Sequence, residues 1–184
     1  IAVIFVNFVE IGYTNILQSH QKVRIDLLLG KIDDPDGEGY NINRAKAAIG
    51  SGGFMGKGYK SATLANASQK HVPMQSTDFI FCTWSEERGF LGSLFLVILY
   101  TFLLLKIVVI AERQRSIFTR VYAYCTASIF FYHFMINMGM AIGLAPVIGI
   151  PLPLFSYGGS SMMSFSVLLF ILLKLDSERK IVLQ

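Results

Sequence analysis

Between Phe90 and Ala111 the chain runs for 22 residues with a single charge, Lys106. At about 1.5 Å per residue, a helix of that length spans roughly 33 Å, enough to cross the hydrocarbon core of a bilayer. Lys106 lies near one end, where its amine can reach the interface along its own alkyl stem. Two further runs share this character: Ile117 to Gly143, interrupted by His133 and Asn137, and Gly159 to about Leu175. A fourth, Ile1 to Leu17, opens the chain and carries Asn7 and Glu10. Only 15% of the residues are charged, against about 25% in soluble domains, and mean hydropathy is +0.54. Most of that charge lies between the apolar runs, whereas a soluble core would spread its apolar residues in amphipathic stripes. The fold class that follows is an all-α polytopic integral membrane protein with about four transmembrane helices.

Several other classes drop out. The net charge of +4 is not gathered into one basic block with interleaved aromatics, so no nucleic-acid surface is expected. Cys82 and Cys125 are too few and too unpatterned for a disulfide framework or a metal site, and read as two small buried hydrophobes. His20, His71 and His133 show no ligand spacing, and no metal site is expected. His133, on an apolar helix, reads as a hydrogen-bonded core histidine. The opening run has no basic segment before it and no small-residue cleavage site after it, so residues 1–18 read as a truncated transmembrane helix rather than a signal peptide. Glu10 within it reads as an interface residue, with a role at membrane depth as the alternative.

The spans dictate a topology. Residues 19–89 form a large polar loop, with a short amphipathic helix expected over Asn43 to Ile49. Residues 90–111 cross the membrane. The linker 112–116, Glu112-Arg113-Gln114-Arg115-Ser116 with Arg120 just beyond, is short and basic and so cytoplasmic. Residues 117–143 cross back. Residues 144–158 hold three prolines and a glycine between Ala145 and Tyr157, which forbids a continuous helix. Apolar, non-helical backbone at that depth must be buried in protein or line a cavity. Residues 159–175 cross again, and the tail 176–184 returns to the side of the linker. The large loop and the proline loop then share the extracytoplasmic side.

Three stretches of the large loop hold candidate chemistry. Gly50 to Gly58 is glycine-rich, but it has neither phosphate-loop order nor a preceding strand. It reads as a tight turn, with Lys57 offered to a phosphate as the functional alternative. Asp33 to Glu38 lacks the ligand alternation of a calcium loop and reads as a solvated turn on Pro35 and Gly37. Asp78 abuts the apolar stretch Phe79-Ile80-Phe81. Two readings stay open there. It is a partly desolvated carboxylate able to act as a general base toward a sugar hydroxyl, or Thr77 and Asp78 cap a helix that ends at Gly89.

The residues from Asn137 and Gly143 to Ser161, through Ala145-Pro146-Val147-Ile148-Gly149-Ile150-Pro151-Leu152-Pro153-Leu154-Phe155-Ser156-Tyr157-Gly158-Gly159, resemble the signature of the RodA, FtsW and SpoVE proteins of shape, elongation, division and sporulation. Ala48-Ile49-Gly50-Ser51-Gly52-Gly53 with Gly56-Lys57-Gly58, and Thr77-Asp78-Phe79-Ile80-Phe81 with Glu86-Glu87, agree in the same order. The stretch from Asp34-Pro35 to Gly39-Tyr40 is also similar.

The resemblance covers nearly the whole chain. It implies the C-terminal part of a roughly ten-helix bundle in the bacterial cytoplasmic membrane, inactive as this piece alone. The implied activity is an inverting glycosyltransferase that polymerises lipid II, the undecaprenyl-diphosphate-linked disaccharide pentapeptide, beside a class B penicillin-binding protein and among membrane lipids. Asp78 stands at the family's essential aspartate, as base for the GlcNAc 4-hydroxyl. Lys57, Glu87, Ser156, Gly158, Gly159 and Ser160 are the residues expected around the substrate, with Lys57 ahead of Lys60, Lys70 and Arg88 as the cation for the departing diphosphate. The resemblance implies no certain cofactor; a divalent cation could share the diphosphate's charge, with no dedicated cage in the sequence.

The sequence departs from the family where Ser61-Ala62-Thr63-Leu64 replaces Gly-Thr-Gln, where Met74 replaces a glutamate, and at Ser85. The loop pattern leans toward the elongation member of the family. A transporter of a lipid-linked precursor and a non-catalytic scaffold are the competing functions, and the depth of Asp78 separates transport from polymerisation.

Overall fold

The computed structural model describes residues 18–31, 38–61, 63 and 76–181. Among these there are five helices and no strand: α1 (Ser19–Leu28), α2 (Glu38–Ser51), α3 (Ile80–Glu112), α4 (Ile117–Ile142) and α5 (Gly159–Ile181). The last three are long and apolar enough to cross a membrane. Residues 1–17, with Asn7 and Glu10, most of the Asp33 to Glu38 turn, and Lys70, His71 and Met74 lie outside the described residues.

α3 and α4 form the main packed pair, α5 lies against α4, and α2 sits across both α3 and α4. The core has two parts. At one end Ala45 and Ala48 of α2 are fully buried against Phe81 and Cys82 of α3, and Tyr100 stacks on Phe134 with ring centroids 4.8 Å apart. The expected helix over Asn43 to Ile49 is thus the middle of a longer element, whose small residues allow close approach. At the other end Ile107 and Ala111 of α3 meet Ala123, Ala127 and Leu172. Phe95, Ile98, Phe102, Leu105 and Val109 stay exposed along α3. In a bilayer such a face meets lipid at no cost, because acyl chains are as apolar as leucine. Cys82 is buried as expected. Cys125 is not: it stands exposed on α4, where a small apolar side chain can equally face lipid.

The second end is closed by polar side chains. Asp176 is nearly buried and accepts from Arg113 Nε at 3.0 Å, from Arg113 Nη2, and from Gln114 Nε2 at 2.8 Å. Arg120 donates to the Gln114 carbonyl at 2.8 Å. The short linker and the start of the tail therefore meet at one end of the bundle. α5 runs six residues past the apolar stretch that ends at Leu175, carrying a Lys174–Glu178 pair at 3.4 Å, one turn apart.

Candidate functional site

α3 is a broken helix. Gly89 leaves helical geometry at φ 65°, ψ −162°, and divides Ile80–Arg88 from the membrane-spanning length beyond it. A break frees carbonyls before it and amides after it, and at the edge of a bilayer these need partners. The glycine-rich loop supplies them on both sides. The amides of Lys57 and Gly58 donate to the carbonyls of Glu86 and Glu87, each at 3.0 Å, while the amides of Phe90 and Leu91 donate to the carbonyls of Gly53 and Phe54 at 2.9 and 3.3 Å. So intimate a backbone pairing excludes side chains. A Cβ on Gly52, Gly56 or Gly89 would overlap the backbone of Ser85, Glu87 or Gly56 respectively. The loop read as either a tight turn or a phosphate cradle is a brace for the break.

One buried ion pair locks that brace. Glu86 is fully buried, and its Oε1 accepts from Lys57 Nζ at 2.6 Å, from the Thr63 amide at 2.9 Å and from the Thr63 hydroxyl at 3.1 Å. Lys57 Nζ also donates to Thr63 Oγ1 at 2.8 Å. The positive charge expected for a substrate phosphate is thus held on an internal carboxylate. Glu87 accepts from the Lys60 amide at 3.0 Å. Lys60 and Arg88 are exposed, the first over the Tyr59 ring and the second over Trp84.

The Asp78 turn lies against the proline loop. Phe79, not Asp78, is the N-cap of α3, and no side chain caps it; the capping reading of Asp78 does not hold. The Asp78 side chain is half-buried, and its carboxylate has no hydrogen bond or ion pair among the described residues. It lies beside Gly149, whose φ is 76° and whose Cβ, if it had one, would stand 3.2 Å from Asp78 Oδ2. The Tyr157 amide donates to the Ser76 carbonyl at 2.9 Å, joining the two segments.

The proline loop's freed backbone groups are met largely by side chains of α4. His133 Nδ1 is 3.3 Å from the Pro151 carbonyl, Asn137 Nδ2 donates to the Ile150 carbonyl at 2.7 Å, and the Ile148 amide donates to Met140 Sδ at 3.1 Å. Spaced by four and three residues, these share one face of α4. Tyr100 of α3 adds a hydrogen bond to the Pro153 carbonyl. His133 also meets the Phe165 ring edge-on; it is hydrogen-bonded as expected, but half-buried instead of in the core.

The remaining expected residues are spread along this end. Ser156 is buried, and its hydroxyl accepts from the Leu152 amide at 2.8 Å, so it stabilises its own loop instead of facing a cavity. Gly159 would meet nothing with a Cβ and Gly158 only the Ser161 hydroxyl, so no protein backbone presses on either. Ser160 is exposed and lends its carbonyl to Ser164. No cluster of three or more His, Cys, Asp or Glu side chains suited to a metal exists among the described residues. Sequence reading left Glu86 and Asn137 without roles. The available signals were their place in the resembling stretches and, for Asn137, an amide inside an otherwise apolar helix, which marks a partner without naming it.

The family model described as cell cycle protein, covering FtsW, RodA and SpoVE, matches residues 1–181. Peptidoglycan glycosyltransferase MrdB of Escherichia coli (strain K12) is 38% identical over 173 residues, 94% of this chain and 46% of MrdB. Peptidoglycan glycosyltransferase RodA of Treponema pallidum is 34% identical, over 89% of this chain and 37% of its own length. A probable peptidoglycan glycosyltransferase FtsW of Tolumonas auensis is also 34% identical, over 98% and 47%. The chain thus spans about half the length, or less, of these relatives. A solved chain, from work on how a peptidoglycan synthase complex coordinates polymerisation and crosslinking, superposes with a TM-score of 0.74 at 27% identity, over 97% of this chain and 48% of that one. With a family match that runs nearly end to end, the chain belongs to the FtsW/RodA/SpoVE family.

Proposed function

We propose that this protein polymerises lipid II by inverting glycosyl transfer at the outer face of the bacterial cytoplasmic membrane, with Asp78 as general base. The observation that carries this reading is the state of Asp78. Of the carboxylates Asp78, Glu86 and Asp176, the last two are buried and fully engaged, whereas Asp78 is half-buried and unengaged among the described residues. A base must keep its lone pairs free for the incoming proton. Names of relatives as peptidoglycan glycosyltransferases support the reaction class.

In the proposed step the 4-hydroxyl oxygen of the acceptor sugar attacks the anomeric carbon of the donor. Its proton passes to Asp78 as the bond from that carbon to the lipid diphosphate breaks, and the configuration inverts. The diphosphate leaves with its electron pair, and its developing charge calls for cations. Lys57 is already neutralised by Glu86, which favours Lys60 and Arg88, both exposed, for that part. Glu87, Gly158, Gly159 and Ser160 stay within the proposed substrate surface.

The side of the membrane follows from Arg113, Arg115 and Arg120, which mark the opposite end as cytoplasmic. The break in α3 falls where its apolar stretch begins, not at its middle. That position supports a site at the membrane surface over a transport site at the midplane. A class B penicillin-binding protein is the proposed partner, in keeping with the synthase complex from which the solved chain comes.

The test is lipid II polymerisation by the intact protein with that partner, wild type against Asp78→Asn. The amide is nearly isosteric and cannot accept the proton, so kcat is expected to fall at least about 1000-fold, to the scale lost with an essential acid–base group. Normal glycan synthesis by the variant would sink the assignment.

A further inference from the structure

We infer that Asn137 is a positioning residue for the proposed reaction: its side-chain amide ties the Asp78 turn to the proline loop and so sets where the Asp78 carboxylate stands. The inference rests on the polymerase reading for its effect on rate, but not for its geometry.

Asn137 is fully buried in α4. Its Nδ2 donates twice, to the backbone carbonyl of Asp78 at 2.8 Å and to that of Ile150 at 2.7 Å. The orientation of the amide is fixed by its neighbours, since both are carbonyl oxygens and a flipped amide would set oxygen against oxygen. One side chain therefore holds two segments 72 residues apart in sequence, and it does so at the residue proposed as base. Around it, the Tyr157 amide bonds the Ser76 carbonyl, and Gly149 leaves the Asp78 carboxylate its room.

The remaining atom of the amide makes the case sharper. Asn137 Oδ1 is buried without a hydrogen-bond partner. Buried acceptors are nearly always satisfied, and one that is not lowers stability. A leucine of similar size would remove this orphan, but would strand the Asp78 and Ile150 carbonyls that the amide serves. A buried atom left unsatisfied is the kind of broken local rule expected where geometry serves function. His133 and Met140, on the same face, have their side-chain hydrogen bonds only with the proline loop; Asn137 alone of the three reaches across to the turn that carries the carboxylate. Loss of the two N–H bonds frees that turn to shift, and a displacement of about 1 Å at a reacting group is enough for roughly 100-fold in rate.

The experiment uses the intact protein with its penicillin-binding partner in lipid vesicles. Wild type is compared with Asn137→Leu and Asn137→Asp, the second keeping the shape but lacking both donors when ionised. Lipid II polymerisation is read as separate kcat and KM, and backbone amide exchange is followed on the same samples. For Asn137→Leu the expected result is a fall in kcat of about 100-fold with KM within about twofold. Faster exchange should be confined to the Asp78 turn and the proline loop, while the amides of Lys57, Gly58, Phe90 and Leu91 stay protected. Asn137→Asp should match it.

Wild-type kcat in the leucine variant would overturn the inference, as would a general loss of protection with kcat and KM failing together. If wild type makes no glycan, the polymerase reading fails. Exchange still decides the geometry: unchanged protection of the Asp78 turn in Asn137→Leu contradicts the tether, and loosening confined to the two segments supports it.

Discussion

At the linker end of the bundle, α3 and α4 are joined by four residues, and one buried carboxylate, Asp176, gathers Arg113 and Gln114. The helices there are regular and few backbone groups need outside help. At the loop end the backbone is irregular twice over, at the Gly89 break and in the proline loop, and most of the repair comes from other segments. The glycine loop closes the break, while His133, Asn137, Met140 and Tyr100 serve the proline loop. The contrast shows what irregular backbone at a membrane edge requires. Polar groups there are committed to internal partners until few remain, and a carboxylate left out of that scheme stands out.

The largest expected break in this contrast is steric. Gly89→Val places a side chain on the Gly56 backbone and a β-branched residue at positive φ. Neither backbone can yield without undoing the brace, so a loss of about 4 kcal/mol or more is expected, read as a lowered unfolding temperature in detergent. The same change at Gly50, where a Cβ meets nothing, should leave stability within about 0.5 kcal/mol, because valine is no worse a helix former than glycine.

Glu86→Gln comes next. It removes the charge from a buried site and leaves Lys57 without its counterion, for about 3 kcal/mol. Asp176→Asn should cost less, about 1–2 kcal/mol, because Arg113 is more than a third exposed and water can take over. Equal losses at the two ends would erase the distinction drawn between them. Tyr100→Phe removes one buried hydrogen bond to the Pro153 carbonyl, for about 1–2 kcal/mol. At the bottom lies Lys174→Ala. It breaks an exposed pair one turn apart and should change stability by no more than about 0.5 kcal/mol.

Much of the scaffold can be read from the sequence, and the reasons differ by element. Phe90 to Ala111 and Ile117 to Gly143 are legible because a lipid-facing helix has no other composition available to it. The end of α5 is not, since hydropathy marks where hydrocarbon stops, while the helix continues through Lys174, Asp176 and Glu178 to Ile181. Gly89 is legible as a helix end, but not as a break whose far side resumes the same helix. The Lys57–Glu86 pair spans 29 residues and leaves no periodic trace. Lys57, read as a ligand group, is a strut for that reason. Asn137 is visible as an interruption of an apolar run, but its partners are main-chain carbonyls, which carry no sequence signature. Asp78 is legible from the resemblance; from spacing alone a base and a helix cap looked alike, and Phe79 at the N-cap removes the cap.

The central claim is that the unengaged carboxylate reacts and the engaged ones hold the fold. It is tested most directly by placing the amide at each of Asp78, Glu86 and Asp176 in the intact protein with its partner, and measuring lipid II polymerisation and thermal unfolding on the same preparations. The account predicts that Asp78→Asn unfolds within about 0.5 kcal/mol of wild type, as expected away from engaged features, and makes no glycan. Glu86→Gln and Asp176→Asn should lose stability while the folded fraction still polymerises. An Asp78→Asn protein that polymerises normally, or one that loses as much stability as Glu86→Gln, would contradict it.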